Sequence, residues 1–188
     1  MAKKSPKKGL DPLKIFKHAT GFHQSYLRIL NSIPSDAPQE IKEQDVGLIS
    51  MPTMALSAFT SELYFKCLLC VEIDEVPNEH NLKFLFGLLK NETKREIDDL
   101  WDIDIRQPHR QPMIEYMRTL PKGDKVKLDL RYALDVGADS FMDLRYFYER
   151  EQVYFLLTDF PTILRKVILR RFPGWESALP KPSIDLTR

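Results

Sequence analysis

The sequence predicts an all-α fold: an up-and-down helical bundle with a central apolar helix and one long irregular excursion. Three observations carry that expectation. Glycine is scarce, 7 of 188 residues, and few turns have hairpin character. Apolar residues return at i, i+3, i+4 and i+7 in one segment after another. One segment, from Ser50 to about Ile73, is apolar in nearly every direction, as a helix surrounded by others must be.

The elements follow in order. Asp11 before Pro12 is an N-cap followed by a residue suited to the first helical turn, and Leu13, Phe16, Ala19, Phe22, Tyr26 and Leu30 continue a helix over residues 12–33. The polar stretch PSDAPQEIKEQDVG, residues 34–47, reads as a loop. Ser50 caps the central helix, with Pro52 in its first turn and Ser57, Thr60 and Ser61 as its one polar strip. A third helix starts at His80 or Asn81 and buries Leu82, Leu85, Phe86 and Leu89. Thr93 caps a fourth, with Ile97, Leu100 and Trp101 inward. Residues 107–127, with their prolines and Gly123, form the excursion. A further helix begins near Asp139 or Ser140 and includes Phe141, Leu144 and Phe147. Asp159 caps the last, which buries Phe160, Ile163, Leu164, Val167 and Ile168 and ends at FPGW. Trp101 and Trp175 read as packing residues.

With 43% apolar residues the chain can bury a substantial core, and residues 11–175 are expected to form one domain between a basic, unstructured tail (1–10) and a C-terminal tail (176–188). Twenty-eight basic residues against 27 acidic ones leave a net charge of +1, which neither favours nor excludes nucleic acid. The lysines of MAKKSPKKGL have no apolar stretch behind them, so the segment does not read as a secretory signal. No run is expected to span a bilayer. Cys67 and Cys70, the only cysteines, exclude a four-thiolate zinc site within one chain and read as small core residues of a protein in a reducing cytoplasm.

Glu62 and Lys66 lie four apart on the apolar face of the central helix, beside Ala58, Phe59 and Leu69. Arg145 and Glu149 repeat that spacing among Phe141, Leu144, Tyr146 and Phe147. Charges in such surroundings require partners. The expected arrangement pairs Glu62 with Arg145 and Lys66 with Glu149, either as an ion network that fixes helix register or as a polar pocket for a phosphate or a base.

The same stretches carry a resemblance. FTSELYFKCLLCVE, then EHNLKFLFGLL, then FMDLRYFYE resemble the HEPN-type (higher eukaryotes and prokaryotes nucleotide-binding) domains of bacteria. The matching positions are Glu62, Leu63 and Lys66; His80 with Leu82 and Leu85; and Phe141, Arg145, Tyr146 and Glu149. The resemblance covers about half the chain. It implies a helical bundle, self-association as a homodimer, and RNA, a nucleotide or a partner protein as ligand, in a defence or toxin–antitoxin setting. Ribonucleases of that family carry Arg, four to six residues, then His. No histidine here follows an arginine at that spacing; Arg106 precedes His109 by three. A binding module is therefore expected first. A metal-independent ribonuclease using Arg145 with Glu149 or His80 is the second reading, and a purely structural interaction domain the third. His80 itself reads as a residue capping the third helix, or as an imidazole brought to Arg145 by the fold. The basic side of the last helix (Arg165, Lys166, Arg170, Arg171) could supply phosphate contacts.

Glu72, Glu75, Glu96 and Asp99 match the Glu-x-x-Glu and Glu-x-x-Asp halves of all-α nucleotide pyrophosphatases, but Pro77 and a complete helix intervene. His18 and His23 are five apart and do not share a face for metal. No metal and no cofactor are expected.

Overall fold

A computed structural model describes residues 7–32, 39–119, 123–140, 144 and 156–179, with only the backbone of 39–48 and 124. Among them the chain forms a two-residue strand β1 (Lys7–Lys8), α1 (Pro12–Leu30), α2 (Gln39–Ile73), strand β2 (Glu75–Val76), α3 (Leu82–Leu88), α4 (Asn91–Asp104), α5 (Gln111–Thr119), α6 (Leu130–Val136) and α7 (Phe160–Arg171). The all-α expectation holds: the one sheet is the antiparallel pair β1–β2, with Lys8 opposite Glu75.

The central position of α2 follows from its side chains. Tyr64, Phe65, Cys67, Leu68 and Leu69 are all fully buried. α1 packs along its length, and α7 packs on both α2 and α4. Phe160, the first residue of α7, stands between Phe65 of α2 and Trp101 of α4, with ring centroids 5.7 and 5.9 Å away. The Trp101 indole donates to the Leu128 carbonyl at 2.8 Å, and Trp175 stacks on Phe172 with centroids 4.3 Å apart, so both tryptophans pack as expected. Ile49–Ile73, with a mean hydropathy of 1.4, is long and apolar enough to cross a membrane by length and composition, contrary to the expectation that no run would be. Its share of buried surface, 61%, is what a core helix shows.

Several boundaries differ from expectation for identifiable reasons. α2 begins at Gln39, directly after Pro38, and not at Ser50, so much of the expected loop is helix. Pro52 lies inside α2; it removes one backbone donor, and the Thr53 hydroxyl answers the Ile49 and Ser50 carbonyls, each at 2.8 Å. Thr93 is not a cap: α4 starts two residues earlier, and the Thr93 side chain is buried in an ion network. The excursion contains α5, which buries Ile114 and Met117 and places Pro112 in its first turn. Ser57, Thr60 and Ser61 do not face solvent; all three are buried, and Ser57 Oγ lies 2.8 and 2.7 Å from the Leu157 and Thr158 carbonyls.

Both ends also join the body. Lys8 pairs with Glu75 at 3.0 Å, and Glu176 with Arg165 at 2.9 Å. The Cys67 and Cys70 thiols donate to the Pro12 and Leu10 carbonyls at 3.4 and 3.2 Å. Burial pushes the Cys67 thiol up to about 12 and raises that of Cys70, which keeps both protonated and unreactive. Of the helix expected near residue 140, Ser140 and Leu144 are described; Phe141, Arg145, Tyr146, Phe147 and Glu149 lie outside the described residues.

Candidate functional site

Glu62 has 1% of its surface exposed. Its Oε1 accepts from Lys66 Nζ at 2.7 Å, one helical turn on, and from His80 Nδ1 at 2.9 Å. The i, i+4 pair expected on α2 therefore exists, and His80 is its third member. Because a carboxylate only accepts, Nδ1 carries the ring proton, which leaves Nε2 as the ring's acceptor. The His80 side chain is 52% exposed, against 12% for Lys66. Glu62 Oε2 is buried and has no hydrogen-bond partner among the described residues.

His80 is held from several sides. The Glu79 carboxylate accepts from its backbone N–H at 2.9 Å. Asn81, and not His80, caps α3, its side chain accepting from Phe84 N at 2.8 Å. The Leu82 N–H donates to the Ala138 carbonyl at 2.8 Å, and Asn81 Nδ2 donates to Asp139 at 3.0 Å. An imidazole fixed at Nδ1 by a buried carboxylate and open elsewhere can bind a ligand or move a proton. The expected partnership of this group with Arg145, Tyr146 and Glu149 falls outside the described residues.

The four cations of α7 meet two different surroundings, and Arg170 takes part in both. Arg171 turns inward: Nη1 donates to Glu72 at 3.0 Å, and Nη2 donates to Thr93 at 2.7 Å and to Glu96 at 3.2 Å. Thr93 also donates to Glu72. Arg170 donates to Glu96 at 3.2 Å. Two of the four cations expected to be available for phosphate are thus met by acid from α2 and α4. Two of the four carboxylates of the pyrophosphatase-like spacing, Glu72 and Glu96, do converge, but around a guanidinium where that reading needed Mg²⁺. Among the described residues no group of three or more potential ligands could hold a metal ion.

Arg165 and Lys166 face the other way. With Arg170 they line a groove of about 800 Å³ between α1 and α7, closed by His23, Thr162 and Glu176. Glu176 meets Arg165, and Lys166 has no carboxylate at ion-pair distance among the described residues. Arg165 Nε is buried with no partner among them. His23 is buried at the groove wall, its Nδ1 3.2 Å from the Tyr64 hydroxyl and its Nε2 3.2 Å from that of Thr162. Burial, with help from Arg165 and against Asp159, lowers its pKa from 6.5 to about 4. The sequence reading weighed His23 only as a metal ligand and passed over Thr162 and Glu176. His23 stands three residues before Tyr26 on the buried side of α1, a spacing that could have flagged it.

Compared with family models, with curated proteins and with solved structures, the chain matches none.

Two outcomes follow. Lys66→Met should cost about 3–5 kcal/mol in urea unfolding, because it strands the buried Glu62 carboxylate, Glu62→Leu should cost less, because the lysine it leaves is only partly buried, and the double variant should cost less than their sum. His23 is neutral in the fold and titrates near 6.5 when unfolded, so its contribution is complete above about pH 6.5 and falls by up to ~3 kcal/mol as pH drops towards 4. Stability against pH should be correspondingly flatter over that window in His23→Phe.

Proposed function

We propose that this chain is an HEPN-like binding module that takes a ribonucleotide phosphate, free or within an RNA strand, in the groove between α1 and α7. The observation that carries this reading is the charge of the groove: Arg165, Lys166 and Arg170 line it, with Glu176 on Arg165 and Glu96 on Arg170 as the carboxylates that meet them and Lys166 met by none among the described residues, in a volume suited to a nucleotide. The unpartnered Arg165 Nε adds a buried donor at the same wall. The all-α fold and the meeting of Glu62, Lys66 and His80, three positions of the family resemblance, agree with the HEPN-like assignment. That resemblance extends the proposal to a cytoplasmic homodimer in a defence or toxin–antitoxin setting.

A second reading rests on the Glu62–His80 contact. A carboxylate that fixes Nδ1–H leaves Nε2 to take a proton from a ribose 2′-OH, the first step of metal-independent RNA cleavage. Incubation of RNA in EDTA with the parent and with His80→Gln distinguishes the two. Cleavage by the parent alone supports the ribonuclease; binding with no cleavage by either leaves the binding module.

For the binding module, the anisotropy of a short labelled RNA should report an affinity that falls steeply with salt, with a log–log slope of about −2 if three phosphates are met. Lys166→Glu should weaken binding at least about tenfold. Salt-insensitive binding, or binding unchanged in Lys166→Glu, removes the groove from the reading and points to a protein partner.

A further inference from the structure

A second site stands apart from the α1–α7 groove and from Glu62. The end of α1, the α2 segment after Ile49, the turn Pro108–Arg110, the start of α5 and the turn before α7 line an open cavity of about 330 Å³. Leu30, Ile49, Met54 and Met113 make it apolar on most sides, while Arg110, His109 and Asp159 close one end. An apolar pocket with a few convergent polar groups is the usual form of a small-molecule site.

The polar end is rigid. The Arg110 side chain is 1% exposed, its guanidinium 5.8 Å over the Trp101 ring. Its Nε and Nη2 both donate to Asp104 Oδ2, at 2.8 and 2.5 Å. Asp159 stands at the N-cap of α7 yet makes no capping bond. Its Oδ1 accepts instead from the Tyr26 hydroxyl at 2.8 Å. The carboxylate expected to cap a helix is thus committed to this cluster.

Two atoms remain unsatisfied. Arg110 Nη1 is buried and lies 3.2 Å from Asp159 Oδ2, but out of line for a hydrogen bond, so its N–H groups have no partner among the described residues. Asp159 Oδ2 accepts no aligned hydrogen bond among them either; His109 Nε2 stays 3.9 Å away. A donor and an acceptor that touch as an ion pair but share no aligned hydrogen bond thus sit side by side at the end of a mostly apolar cavity. Arg110 already faces two carboxylates, Asp104 and Asp159, which disfavours an anion. Its apolar walls disfavour a full cation. Met54 and Met113 suit a flat aromatic ring, against which thioether sulfur packs well.

We infer that this cavity binds a small, uncharged, planar molecule with an amide-like edge, its carbonyl accepting from Arg110 Nη1 and its N–H donating to Asp159 Oδ2. The test titrates the ¹⁵N-labelled full chain with benzamide, and with benzoate and benzamidine as its anionic and cationic counterparts. Benzamide should shift the backbone signals of Thr53, His109, Met113 and Thr158 at the millimolar concentrations expected of a fragment. The two charged analogues should bind at least about tenfold more weakly. Met113→Trp, which fills the cavity and leaves the polar end intact, should abolish the shifts. No shifts, shifts centred elsewhere, or benzoate binding as well as benzamide would overturn the inference. The mapping on the parent decides the matter even if Met113→Trp does not fold.

Discussion

Glu62 lies on the buried side of α2, and a carboxylate there costs several kcal/mol unless positive charge or donors reach it. Lys66 arrives by helical spacing alone. His80 does not: it stands eighteen residues along, past the end of α2, and the chain must reverse to bring it back. The reversal is built locally. Asp74 takes a left-handed φ of 53°, its N–H donating to the Cys70 carbonyl, and ends α2 as glycine more often does. Glu75 and Val76 then pair with Lys7 and Lys8, which ties the start of the chain to the same turn. Asn81 opens α3 immediately after His80. The course of the chain from β1 to α3 thus serves one buried charge.

The same logic recurs between elements. Arg171 of α7 is met by Glu72 of α2 and Glu96 of α4; Arg110, just before α5, is met by Asp104 at the end of α4 and Asp159 at the start of α7. Each guanidinium joins segments distant in sequence, and each has a fork geometry that a lysine could not reproduce. Breaking either should therefore loosen the packing of α7 as well as remove a charge pair.

These ties also set the limit of what the sequence could show. Periodicity is local, and it found α1, the apolar length of α2, α3, and α7 with its stop at Phe172. The Glu62–Lys66 pair was legible for the same reason. Where prolines punctuate a helix the local signal misleads: Pro52 hid the first part of α2, and Pro108 and Pro112 hid α5. Contacts between elements were beyond it. Nothing in the spacing of residues says that Glu62 meets His80, that Arg171 fills the place a metal would take between Glu72 and Glu96, or that Asp159 gives its carboxylate to Tyr26 and Arg110 and leaves α7 uncapped by a side chain.

What separates the ionic groups of this fold is how completely their hydrogen bonds are used. Around Arg171, Glu72 and Thr93 are bonded repeatedly, Lys90 N–H adding to Glu72 at 2.8 Å. That network is saturated, and it welds α2, α4 and α7. The other three are not. Glu62 Oε2, Arg165 Nε and Arg110 Nη1 are buried without partners among the described residues. Folded proteins leave few such atoms, since each loses the hydration it had in the unfolded chain. In this chain the two unpartnered arginine atoms belong to side chains that line concave surfaces, and the carboxylate atom belongs to the group that fixes an exposed imidazole. A saturated network gains nothing from a ligand; an unsaturated one at a cavity wall does. The two proposed sites rest on that difference, at Arg165 and at Arg110, while Arg171, on the same helix and of the same charge as Arg165, ties α2, α4 and α7 together.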